Sequence, residues 1–294
     1  MNKKRRILSV FIIVCLLISC SAVSSFAESG KYVKLKATQN YGDAQKVLKL
    51  INKQRSKRGL RKLKLDKGLT KSAAQRAAEL TVYIPETSPH RRPNGKLTKS
   101  INGKIIYECC AEGYETPGSV VSGWMSSPPH KRGILLSSAK SVGIGCITTG
   151  SGEKYWTLEL SSSNASKKEK RKKALSSTYK VSSKAEYLKK KNFSISLLDQ
   201  SAYDPYSLPT VYVGESSKVA VYFTNKFGFN TPLKGSCFTW RSSNPSVVAI
   251  DKNGKVTPKK AGTVTITAKM KGSMNYTFKT KFYVENFDDY DDVY

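Results

Sequence analysis

Apolar residues near the start of the chain recur at helical spacing twice. In YGDAQKVLKLINKQRSKRG the residues Ala44, Val47, Leu48 and Ile51 fall on one face. Asp43 is placed to cap this helix and Gly59 to end it. In LTKSAAQRAAEL, Leu69, Ala73, Ala77 and Leu80 make a second stripe. After a polar loop containing SPHRRPNGK, the run IIYECC predicts a short strand. TPGSVVSGWM then opens on Thr116 before Pro117, the order of a helix start, with Val120, Val121 and Trp124 on one side. SVGIGCITTGSGEKYWTLEL predicts two strands about a Gly-rich turn. The last third changes character. VYVGESSKVAVYF, VTITAK and YTFKTKFYV alternate apolar with polar positions and are separated by turn signals at Asn244-Pro245, Asn253-Gly254 and Ala261-Gly262, which predicts an all-β sandwich.

Between these regions the pattern fades. Residues 166–191 carry eleven basic residues against two acidic ones, with almost no apolar periodicity. Like charges at that density disfavour compact folding, so residues 163–194 are expected to be a flexible basic linker, with polyanion binding as its functional alternative. The organisation expected is therefore α+β: a mixed domain over 38–162, the linker, a β domain over 195–286, and a solvated acidic tail over 287–294.

The chain of 294 residues suits two modest domains. Its 51 Lys and Arg give a net charge of +30, which attracts polyanions at long range. The first residues decide which. A basic start, an apolar run over 7–18 and then small polar residues read as a secretory signal peptide over 1–27. The run is shorter than the roughly 20 residues that a spanning helix needs. Leu17-Ile18-Ser19-Cys20 offers a competing lipoprotein signal ending at residue 19, with Cys20 acylated as the new first residue. Either way the chain is expected outside the cell or at its surface, with anionic wall or envelope polymers as partners and no nucleic acid. Export also permits disulfides among Cys109, Cys110, Cys146 and Cys237. On a strand Cys109 and Cys110 point to opposite faces, so at most one of them is placed to reach Cys146.

Only two histidines occur, His90 and His130, and Glu108 lies between them on the expected strand. Two imidazoles and a carboxylate are a plausible set for Zn²⁺ or another divalent metal, with a position left for water. The same groups serve proton transfer without metal. Ser88, Ser126 and Ser127 lie near the histidines, but no nucleophile elbow surrounds them.

The segments LINKQRSKRGLRKLKLDKGLTKSAAQRAAEL, HRRPNGK, YECCAEGYETPGSVVSGWMSSPPHKRGIL and VGIGC followed by YW resemble, in order, the CAP superfamily of cysteine-rich secretory, antigen 5 and pathogenesis-related 1 proteins in its bacterial form. The resemblance implies an α-β-α sandwich in which His90, Glu108 and His130 line one cleft. Three positions depart from the family pattern: Pro129 replaces a Gly, Gly133 an Asn, and Cys109 an Asn. The second glutamate and later histidine of the eukaryotic tetrad are not evident, which implies a triad with weakened metal binding. TWRSSNPSVVAIDKNGKVTPKKAGTVTITAKM resembles a bacterial immunoglobulin-like domain of group 2, implying a surface-display or adhesion spacer in which Trp240 packs between sheets. Three functions remain open: a non-catalytic protein binding a small lipid, peptide or metal ligand in the cleft; a metal-dependent hydrolase of peptide or wall substrates using His90, His130 and Glu108; and a wall-associated structural protein held by its basic linker.

Overall fold

Alternation in YVKLKATQ builds the first strand, β1 (Tyr32–Gln39), which buries Val33, Leu35, Ala37 and Gln39. The computed structural model to which it belongs describes residues 31–86, 90–198 and 210–286. The segment expected to be a signal peptide, Cys20, Ser88 and the acidic tail lie outside the described residues. Helix α1 (Tyr41–Ser56) turns Ala44, Val47 and Ile51 inward. Its N-cap is Asn40, not Asp43, whose carboxylate instead lies in the first turn 3.1 Å from Lys46 Nζ. Arg55 is buried and donates to the carbonyls of Ile134, Leu136 and Ala139, so the end of α1 is fastened to a distant loop. After the short β2 (Lys64–Leu65), Asp66 caps α2 (Lys67–Leu80) by accepting from the Leu69 amide at 2.9 Å. The stripe Leu69, Ala73, Ala77 and Leu80 is fully buried.

Strand β3 (Tyr107–Glu112) follows, then α3 (Pro117–Ser126), α4 (Pro128–Ile134) and the hairpin β4 (Ser141–Thr148) and β5 (Lys154–Ser161). A capping box between Thr116 and Ser119 starts α3 where Thr-Pro predicts it. The sheet order is β3-β5-β4-β1-β6, with β6 (Leu175–Ser182) at one edge and β2 beside β4. One face carries α1, α3 and α4 over Ile144, Cys146, Trp156 and Leu158. The other carries α2, which approaches β4 so closely that a Cβ on Gly145 would lie 2.2 Å from the Ala73 carbonyl oxygen. Glycine there lets a helix backbone lie directly on a strand.

The basic segment is not a flexible linker. β6 pairs antiparallel with β1 along its whole length, Tyr32 opposite Ser182 and Gln39 opposite Leu175. Upstream, the Ser166 amide and hydroxyl donate to Asp66 Oδ2, and Arg171 pairs with Glu169 and lies 4.0 Å from the Tyr41 ring centroid. Charge density misleads because a strand separates its side chains by face: Tyr179 and Val181 point into the core while Lys180 points out.

The remainder is β-rich: β7 (Phe193–Leu197), β8 (Thr210–Tyr212), β9 (Ser217–Thr224), β10 (Asn230–Pro232), β11 (Phe238–Ser242), β12 (Val248–Ile250), β13 (Lys255–Pro258), β14 (Gly262–Met270) and β15 (Thr277–Glu285). One sheet runs β10-β9-β13-β12 with β7 also on β9; the other runs β11-β14-β15-β8. Val219, Val248, Val256, Val264, Ile266 and Phe282 form a core drawn from both sheets. Trp240 is partly buried against this core and donates from Nε1 to the Gly235 carbonyl at 2.8 Å. A second cluster spans both regions, joining Leu35, Ala77 and Tyr155 to Phe223, Leu233 and Phe238. Cys109, Cys110, Cys146 and Cys237 are all free thiols. Cys109 faces the α1 and α3 side and Cys110 the other, as strand parity requires.

Candidate functional site

Glu108 is the hub of the site. It projects from β3 on the same face as Cys110 and is nearly completely buried. Arg76, on the buried side of α2 and itself fully buried, donates from Nε to Glu108 Oε1 at 2.9 Å. His90 Nδ1 lies 2.7 Å from Oε2, and the Thr98 hydroxyl donates to the same oxygen at 3.2 Å. Burial by itself would raise the Glu108 carboxyl. The Arg76 charge and the His90 hydrogen bond outweigh it and hold the group down at about 2. An ionised carboxylate only accepts, so His90 carries its proton on Nδ1 and, when neutral, keeps its lone pair on Nε2.

The surrounding groups fix Arg76 in turn. Its Nη2 donates to the Arg91 carbonyl at 3.1 Å, and its Nη1 lies 3.7 Å from Glu79, which also holds Arg92 at 2.6 Å. Beneath the network, Ser72 donates to the fully buried Glu159 at 2.5 Å. Burial pushes the Glu159 carboxyl well up, and the neighbouring Glu108 adds to the rise. Burial thus disfavours the charged form of Glu159, against the pull of the Ser72 hydrogen bond and the Arg76 charge.

His90, Glu108 and His130 line one cleft of about 460 Å³. Its walls include Ile84, Leu97, Ile105 and Ile106, and Lys99 and Cys110 also reach it. His130 comes from α4, a short helix whose two prolines occupy its first positions. Burial lowers the His130 ring below its ordinary 6.5, and His90 lowers it further. The Tyr107 ring lies across α4 and donates its hydroxyl to the Pro129 carbonyl at 2.7 Å. A Cβ on Gly133 would meet that ring at 2.0 Å. The glycine that looks in sequence like a lost polar group thus makes room for Tyr107. Ser126 and Ser127 are not among the residues lining the cleft.

A cluster of potential metal donors brings together His90, Glu108 and Cys110, with their ligand atoms within 4.8 Å of one another. Cys110 lies 3.8 Å from His90 Nδ1, and burial raises its thiol well above the usual range, so it does not supply a ready thiolate. Glu108 has both oxygens engaged, and using either on a metal would break a buried contact. Glu108 orients His90 from behind, and His130, although it lines the same cleft, is not part of this donor cluster. Sequence reasoning missed Arg76, Thr98 and Cys110. Arg76 had a legible signal: it is a charged residue on the buried side of an alanine-rich helix. Such a charge needs a buried partner.

Residues 48–160 match the family model of the cysteine-rich secretory proteins, CAP, and residues 234–270 match that of the intimin immunoglobulin-like domain. The first match begins inside α1 and ends in β5, leaving β1 and β6 outside it. The uncharacterized protein YkwD of Bacillus subtilis is 34% identical over 120 residues, which are 40% of this chain and 46% of YkwD. The chain therefore spans about half the length of that relative. Among solved structures, an outer surface protein from Borrelia burgdorferi is 21% identical, with 48% of this chain and 99% of that one covered and a TM-score of 0.36. An extracellular SCP-domain protein from Bacillus anthracis is 18% identical over 42% of this chain and 41% of its own, with a TM-score of 0.36. An intimin mutant of EHEC O157:H7 is 19% identical over 31% and 43%, with a TM-score of 0.21.

Proposed function

We propose, for a chain that carries a CAP domain followed by an immunoglobulin-like domain, the role of an exported surface protein whose cleft binds a small amphipathic ligand without transforming it. The buried Arg76–Glu108 pair carries this reading. Because the guanidinium neutralises Glu108 and Lys226 pairs with Glu86, the other carboxylate lining the cleft, the polar end offers imidazole edges and the Lys99 ammonium rather than net negative charge. An anionic or neutral polar head suits that end better than a bare cation. The isoleucine and leucine walls suit an apolar body. A general base needs a free oxygen facing a water, and both Glu108 oxygens are committed. Export rests on the basic, apolar and small-residue order of residues 1–27. Surface display rests on the immunoglobulin-like module.

A second reading is favoured by one hydrogen bond. His90 Nδ1 on Glu108 fixes the tautomer that presents Nε2, the arrangement metal-binding histidines commonly have. His90 and His130 would then hold a divalent ion with Glu108 in support, and the ion would offer a Lewis-acid contact to the ligand head.

Titration with a fluorescent long-chain carboxylate separates the two. The first reading expects saturable binding that Leu97→Asp weakens at least tenfold and that chelator does not change. Binding of Zn²⁺ lost equally in His90→Ala and His130→Ala, with no carboxylate binding, establishes the second reading in its place. Equal binding of both probes by all three variants removes the cleft from either role.

A further inference from the structure

A second cavity, of about 310 Å³, opens at the seam between the mixed domain and the β-rich region. Four lysines from four separate segments line it: Lys34 on β1, Lys180 on β6, Lys234 after β10 and Lys271 after β14. Lys34 and Lys180 are directly opposed across the β1–β6 pair, a placement that like charges ordinarily disfavour. Both ammonium groups lie over the Tyr32 ring, at 5.8 and 4.2 Å from its centroid. Lys234 Nζ donates to the Thr178 hydroxyl at 3.2 Å, and Lys271 Nζ to the Ser236 carbonyl at 3.1 Å. No carboxylate lines the cavity. Among the described residues none of the four lysines has an ion-pair partner, whereas Lys226 near the same seam is paired with Glu86.

The backbone holds the four in place. The Lys234 amide donates to the Lys34 carbonyl at 3.0 Å, and the Lys271 amide to the Cys237 carbonyl at 2.8 Å. Three of the four charges also act on the half-buried Cys237 thiol at the cavity wall. Burial raises that thiol, while Lys34, Lys234 and Lys271 all pull it back. Val33, Leu233 and Met270 give the cavity an apolar side.

We propose that this seam cavity is a binding site for a phosphate-bearing anion, with Lys34, Lys180, Lys234 and Lys271 as its cations. Four ammonium groups drawn from four segments around one cavity suit a tetrahedral group with several charged oxygens better than a flat two-oxygen carboxylate. The apolar side accommodates the organic part of a phosphate ester. Because both domains contribute lysines, the bound anion also bridges them and stabilises their docking by linkage. The site lies apart from the cleft, shares no residue with it, and gives the chain's diffuse positive charge a specific seat.

The full chain is titrated with inorganic pyrophosphate at constant ionic strength, and Cys237 alkylation by a neutral maleimide is followed by mass spectrometry. Saturating pyrophosphate is expected to slow Cys237 alkylation at least fivefold while equivalent chloride does not. Lys180→Gln with Lys234→Gln is expected to weaken pyrophosphate binding at least tenfold. Lys259→Gln with Lys260→Gln, an exposed pair with the same charge change, is expected to leave it unchanged. Equal weakening by both pairs, or unprotected Cys237, overturns the proposal, because binding would then be diffuse electrostatics. Circular dichroism melts confirm that each variant is folded. Competition by glycerol phosphate oligomers assigns the phosphate to a soluble polymer, and competition by phosphatidylglycerol vesicles alone assigns it to a lipid headgroup.

Discussion

Glu112 ends β3 with one carboxylate oxygen, Oε2, buried and without a hydrogen-bond partner among the described residues. Burial raises the group to about 7, with Lys226 pulling it slightly back. Its reference value is 4.5, so between these two pH values the folded chain holds a proton that the unfolded chain has lost. The stability Glu112 contributes is therefore complete below about 4.5 and disappears as pH rises through 7. Glu112→Gln removes the titration. The variant should melt at the same temperature as the parent at pH 4 and above it at pH 8, as read by thermal denaturation across that range. A parallel shift at both pH values would remove Glu112 as the cause. The site residues divide in the same way between what a sequence signals and what it hides. His90, His130 and Glu108 stand out because histidine is rare in this chain and the motif order is recognisable. Glu108 is held ionised by Arg76, 32 residues away in the chain, whereas burial pushes the Glu159 carboxyl up against the pull of Ser72, 87 residues away.

At the level of elements, the contact of α2 with β4 governs the site, because α2 carries Arg76 and β3 carries Glu108. That contact depends on the bare backbone of Gly143 and Gly145, whose added Cβ atoms would meet Leu69 and Ala73 at 2.2 Å. Backbone cannot swing aside as a flexible side chain can. Gly145→Ala is expected to cost about 1–3 kcal/mol in urea unfolding, the range for overpacking a tight core. It should also weaken cleft binding by displacing Arg76 from Glu108. A loss below about 0.5 kcal/mol, the usual scatter for a surface change, would show that α2 has room to relax. Helices α1, α2 and α3 were legible from stripes and caps, since a 3.6-residue repeat and a Thr-Pro start are local signals, whereas the short α4 that carries His130 was not. β1 and β6 were not. β1, with eight alternating residues, sits outside the recognised motif, and β6 hides its alternation of Tyr179 and Val181 among lysines.

For the whole molecule, the buried cluster that unites Leu35, Tyr155, Phe223 and Leu233 ties the mixed domain to the β-rich region. β1 adds a bridge between Leu35 and Leu233, and the Tyr276 hydroxyl donates to the Leu188 carbonyl at 3.1 Å. A shared apolar core makes unfolding of one region expose the other's buried surface. Calorimetry should therefore show one cooperative transition for the full chain, and Leu233→Asp should split it into two. Two well-separated transitions in the parent chain would mean that the seam contributes little. The basic segment of the chain shapes this seam, since β6 joins it as an ordered strand and not as a spacer.

Local patterns in the chain determined the three longer helices and the central hairpin, the change to β structure, and the family likeness that groups His90, Glu108 and His130. These follow from periodicity, capping and motif order, all of which act over a few residues. Tertiary structure alone decided that Arg76 neutralises Glu108, that β6 completes the first sheet, and that four lysines gather at the seam. Each of those depends on which distant backbones become neighbours, and on the burial that then strengthens or suppresses a charge.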